Sequence, residues 1–106
     1  MSNDLKEILG EKINKLLDIF DENEKKFIKV KIMDNTVLDK YPTYFIEITA
    51  AKKIFDRNIS ERFVREIRQE VTKWAAQKRH GAAYVEATIP QEGFITKSIS
   101  IRVSVR

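Results

Sequence analysis

The 106-residue sequence predicts an α+β domain: a two-layer sandwich of order α-β-β-α-β-β, with a four-stranded, largely antiparallel sheet and two helices packed on one face. Two observations predict it. Two stretches repeat apolar residues at spacings of three and four, the period of a helix with one buried stripe. Four other stretches alternate apolar and polar residues, the period of strands covered on one side only. The length suits a single domain over 1–106, with one core.

The first helical stretch carries Leu5, Ile8, Leu9, Ile13, Leu16, Leu17 and Phe20 on one face and Lys6, Glu7, Glu11, Lys12, Lys15 and Asp18 on the other. It reads as about five turns. Ser2 or Asn3 is the expected cap, and Asp4 and Glu7 suit the positive end of the helix dipole. Gly10 lies inside, at a cost of about 1 kcal/mol relative to alanine, and is read as a close helix–sheet contact.

In residues 27–33, Ile28, Val30 and Ile32 alternate with Phe27, Lys29, Lys31 and Met33. Asp34-Asn35 signals a turn into a polar connection. In residues 43–50, Tyr44, Ile46, Ile48 and Ala50 alternate with Thr43, Phe45, Glu47 and Thr49. A basic loop follows, whose Ile54 and Phe55 are expected to tuck under the next helix start as a hydrophobic staple. That helix should be capped by Asn58 or Ser60 and run to about His80, with Phe63, Val64, Ile67, Val71, Trp74 and Ala75 as its stripe. Gly81 stands where a left-handed residue would end it. Val85, Ala87 and Ile89 then alternate with Tyr84, Glu86 and Thr88, and Pro90-Gln91-Glu92-Gly93 marks a hairpin turn. The last strand alternates most cleanly, with Ile95, Ile99, Ile101, Val103 and Val105 on one side and Ser98, Ser100, Arg102, Ser104 and Arg106 on the other. Ending the chain, it is a candidate edge strand for pairing with another molecule. The two α-β-β halves do not match residue for residue, so no repeat is assigned.

Composition narrows the function classes. A hydrophobic fraction of 42% with balanced charge excludes disorder. No apolar run approaches the ~18 residues of a membrane span, so no membrane partner is expected. The absence of cysteine excludes a disulfide framework, a thiolate metal site and a cysteine nucleophile, and it suits a reducing, cytoplasmic setting. Charge is uneven along the chain. Residues 1–24 hold three lysines against seven acids, whereas residues 25–106 hold seventeen bases against nine acids. A basic part of this kind faces a polyanion, meets the acidic part of a neighbouring copy, or serves solubility alone.

Strand parity picks out the uncovered sheet face as the candidate site. It should carry three aromatics (Phe27, Phe45 and Tyr84) and four cations (Lys29, Lys31, Arg102 and Arg106). Bases stack on exposed rings while cations hold phosphates, so a non-enzymatic module for single-stranded nucleic acid is the leading expectation. The alternative is an assembly subunit, of the viral or mobile-element type, that forms a homo-oligomer or docks on a protein through this face or an edge strand. Glu47 and Glu86 on the same face repel phosphate. A second basic row, Arg57, Arg62, Arg65 and Arg68, lines the second helix. It reads either as phosphate contacts or as a solvated face with local pairs: Glu61–Arg65, Glu66–Arg62 and Glu70–Lys73.

Catalytic patterns are missing from the sequence. It has one histidine, His80, and no nucleophile elbow, phosphate loop, dinucleotide fingerprint or His-Glu-x-x-His run. The one chemistry worth naming is metal-dependent phosphodiester cleavage by Glu47 and Glu86 beside Lys29 or Lys31. The expectation is no enzyme, no cofactor and no metal.

Overall fold

The computed structural model describes residues 4–36 and 41–106. Its first helix, α1, spans Leu5–Leu16 and is capped by Asp4, whose carboxylate accepts from the Lys6 N–H at 3.0 Å. The expected caps Ser2 and Asn3 lie outside the described residues. Asp4 both satisfies a free N–H and places a negative charge at the positive helix end.

α1 is shorter than its periodicity predicts. The chain tightens into a 3-10 turn, Leu17–Ile19, and restarts as a one-turn helix, α2 (Glu22–Lys25). A capping box makes the restart: the Asp21 carboxylate accepts from the Glu24 N–H at 2.8 Å, and the Glu24 carboxylate accepts from the Asp21 N–H at 3.2 Å. Lys25 reaches back to Asp18, and that hydrogen bond raises its pKa above the ordinary lysine value.

Strand β1 (Ile28–Asp34) pairs antiparallel with β2 (Thr43–Ala50). Helix α3 (Arg57–Gln77) follows, capped by Asp56, which accepts from the Ile59 N–H at 2.8 Å. The expected caps Asn58 and Ser60 instead lie within its first turn. The left-handed residue after α3 is Arg79, at φ 58°, not Gly81. Gly81 has a different reason to be small: its N–H donates to the Arg106 carbonyl at 2.6 Å, and a Cβ there would stand 3.3 Å from that oxygen. β3 (Ala83–Ala87) and β4 (Ser98–Val105) complete an antiparallel sheet of order β1-β2-β4-β3.

The last strand is therefore interior, held on both sides, and the edges are β1 and β3. β2 and β3 run parallel with β4 inserted between them, so β2-α3-β3 is a split β-α-β unit. α1 lies toward β1, α3 lies over β3 and β4, and the helices touch each other. Lys12 of α1 bridges to Glu66 of α3 at 3.1 Å; its hydrogen bond, then its charge, hold the Glu66 carboxyl below the usual range.

The core follows strand parity. Ile46, Ile48, Ile99, Ile101, Val103 and Val105 face the helices, where Leu5, Leu9, Ile13, Phe63, Ile67 and Val71 meet them. Phe55 is tucked in just before the α3 cap, as expected, and reaches further than a local staple: it is fully buried and packs edge-on against Phe20 and Phe63 in the core. Burial also pushes up the pKa of the Tyr44 phenol, with the Asp34 and Asp4 charges adding to it. Several residues depart from expectation. Val30, expected on the buried side of the edge strand β1, is 37% exposed. Ile95, expected on the buried side, is 50% exposed, because β4 begins only at Ser98. Ser60 is fully buried, and its hydroxyl finds no hydrogen-bond partner among the described residues.

One sheet edge carries a side-chain guard. Ala82 and Arg106 exchange both backbone hydrogen bonds, so in the β3–β4 register the Val85 backbone points outward, off the edge. The Arg68 guanidinium donates to that outward carbonyl at 3.1 Å.

Candidate functional site: the open sheet face

The register arranges the uncovered face in rows across four strands. One row reads Met33, Phe45, Arg102, Glu86, and the next toward the start of β4 reads Lys31, Glu47, Ser100. On the other side, Ser104 lies opposite Thr43 and Tyr84, and Arg106 lies beyond them. Tyr84 is 48% exposed, Phe45 is half-buried, and Lys29, Lys31, Arg102 and Arg106 are exposed.

The arginines and rings are organised as pairs. The Arg102 guanidinium lies 5.7 Å from the Phe45 ring centroid. Arg106 lies between two rings, 5.8 Å from Tyr41 and 5.3 Å from Tyr84. These distances suit cation–π attraction, which also holds the flexible arginines in place. Arg102 lies on β4 and Arg106 follows its last residue, four residues on and about 13 Å away, with Ser104 between them. A shallow depression bounded by Tyr84, Glu86, Arg102, Ser104 and Arg106 connects the two sets.

Tyr41 is the member that sequence reasoning missed. It sits in the connection before β2, where no alternation was sought. The signal was present: Tyr41 has the parity of Thr43 and Phe45, and pairing extends back to Pro42, whose carbonyl accepts from the Val105 N–H at 3.0 Å.

Phe27 does not join the other rings. It is exposed, but it precedes β1 by one residue, six residues from the Met33 that faces Phe45. That separation is about 20 Å along the sheet. Phe45 and Tyr84 are about 12 Å apart, two strands and two register positions away. The expected platform thus keeps Phe45 and Tyr84, loses Phe27 and gains Tyr41. Lys29 and Lys31 form a separate basic strip on edge strand β1.

The second basic row lies on the other layer, since α3 covers the opposite sheet face. Arg62 and Arg65 are exposed there, while Arg57 pairs with Glu61 at 2.9 Å and Arg68 holds Val85. The ion pairs also differ from expectation: Glu61 takes Arg57, and Glu66 and Glu70 take Lys12 across the helix interface. A single ligand on the sheet face does not reach this row. His80 stacks on Trp74, with centroids 5.2 Å apart and planes at 16°. Glu47 and Glu86 stand in adjacent rows on β2 and β3 and border a common depression. Among the described residues, no group of three or more His, Asp or Glu side chains is placed to hold a metal ion, and no helix is long and apolar enough to cross a membrane.

Fold and face together define a class: a small two-layer α+β domain that pairs arginines with aromatic rings on a bare antiparallel sheet. Known proteins add no narrower assignment, since no family model, curated protein or solved structure matches the chain.

Proposed function

We propose that this chain is a small, non-enzymatic module that binds single-stranded nucleic acid across the β2, β4 and β3 part of its open face. The observation that carries the reading is the placement of Arg106 between Tyr41 and Tyr84, repeated in simpler form by Arg102 on Phe45. Base rings stack on aromatic faces and on guanidinium planes, and the guanidinium charge neutralises phosphate. Glu47 and Glu86 repel phosphate, which confines the backbone of a bound strand to the Arg102–Ser104–Arg106 line along β4.

The test is fluorescence anisotropy with a labelled single-stranded oligonucleotide in low and high salt. Binding should weaken steeply as salt rises, because phosphate contacts release counterions. Tyr41→Ala with Tyr84→Ala should weaken it with folding intact. A protein that binds no strand even at about 50 mM salt refutes the reading.

A second reading, a viral or mobile-element type assembly subunit, rests on the exposure of Met33 and Tyr84 on this same face. It requires that Tyr84→Ala convert an oligomer to monomer, with little response to salt.

A further inference from the structure

The end of the molecule where β4 begins carries exposed apolar residues that the open face does not use. Phe94 is 63% exposed and Ile95 is 50% exposed. They follow a tight turn: the Phe94 N–H donates to the Gln91 carbonyl at 3.0 Å, and Gly93 takes φ 89°, a conformation that suits glycine. Just beyond, Thr96 is fastened to Phe55 by backbone hydrogen bonds in both directions, at 2.9 and 3.0 Å. Two consecutive apolar side chains are thus held out between two fixed points. An ordered finger loses little entropy on docking.

At the same end lies an apolar groove of about 310 Å³ floored by Phe27, Ala50, Ala51 and Ile54. Phe27 is 61% exposed. The groove is also lined by Asp21 and Glu24, from α2 and its cap, and by Lys52, from the loop after β2. The finger is flanked by Glu92 before it and Lys97 after it, both exposed. Finger and groove therefore match in apolar character, and their bordering charges are of opposite sign, so that Lys97 can pair with Asp21 and Glu24, and Glu92 with Lys52.

We infer that this end is a self-association surface, where the Phe94-Ile95 finger of one copy enters the Phe27–Ile54 groove of a second copy of the chain. Finger and groove lie at one end, so a two-fold axis there lets each copy fill the other's groove. The inference is independent of the nucleic-acid reading, which uses another surface.

Sedimentation of the full chain over a concentration range up to about 100 µM tests it. The wild type should dimerise, and Phe94→Glu or Phe27→Glu should each weaken dimerisation at least tenfold with the circular dichroism unchanged. Mixing the two variants should restore one of the two finger–groove contacts, so the mixture should associate more strongly than either variant alone, though less than the wild type. Lys52→Glu and Glu92→Lys should each weaken it, and the double variant should recover it. Tyr84→Ala should leave it unchanged. A wild type that stays monomeric, a dimer indifferent to Phe94→Glu, or one dissolved by Tyr84→Ala overturns the inference. If either glutamate variant misfolds, the Lys52 and Glu92 charge exchange decides alone.

Discussion

Strand β4 presents two surfaces that share a backbone and little else. Ile99, Ile101, Val103 and Val105 are at most 2% exposed, whereas Ser98, Ser100, Arg102 and Arg106, interleaved with them, face solvent. On the helix side, side chains are fixed by packing, and any lost volume is felt as stability. On the open side, Arg102 is held by one ring and Arg106 by two, and a change there leaves the core untouched. The comparison teaches that parity along one strand separates what keeps this protein folded from what it offers to a partner.

The sharpest way to break that comparison is to exchange the consequences. Ile101→Ala should cost about 2–5 kcal/mol in urea unfolding, since it opens a cavity in the core. A loss below about 1 kcal/mol would mean the face is not packed as described. Next comes the opposite surface. Tyr84→Ala should weaken strand binding by about 1–3 kcal/mol, roughly 5- to 150-fold, while stability stays within about 0.5 kcal/mol. If it unfolds the protein instead, the open face is structural.

Two smaller effects sharpen the helix side. Ser60→Ala removes a buried hydroxyl without a partner and should stabilise by about 1 kcal/mol, read as a raised urea midpoint. Gly10→Ala should stabilise by about 0.5–1 kcal/mol: a Cβ there meets only the Ile32 side chain, at the ordinary distance of 3.8 Å. The expected close helix–sheet contact thus exists without demanding glycine.

The smallest effect is in pH. Glu66 has its pKa lowered by Lys12, so the pair's contribution is full above the ordinary glutamate value and fades as pH falls through the depressed one. Glu66→Gln should flatten that part of an acid-unfolding profile. A profile identical to wild type would show that the interhelical pair adds nothing measurable.

Much of the fold was legible because period two and period three-to-four are imposed by backbone geometry alone. β2 was bounded correctly because it alternates without interruption from Thr43 to Ala50. Caps were misplaced because several polar residues cluster before each helix, and the one chosen depends on which backbone turns first: Asp4, not Ser2 or Asn3; Asp56, not Asn58 or Ser60. The break after Leu16 was hidden by apolar spacing that continues through Phe20, although Asp21-x-x-Glu24 announced the restart. At the site, parity assigned Phe45, Tyr84, Arg102 and Arg106 to one face. Parity does not give strand order, so it revealed neither the distance to Phe27 nor the arrival of Tyr41 beside Arg106.

The Arg68 contact with the Val85 carbonyl has a consequence for growth. Stacking sheets side by side into a filament needs two receptive rims per molecule, one to give and one to take. With a guanidinium lodged in the middle of the β3 rim, a strand pairing there must first displace it, so lateral growth through β3 carries a cost that is set by a single side chain.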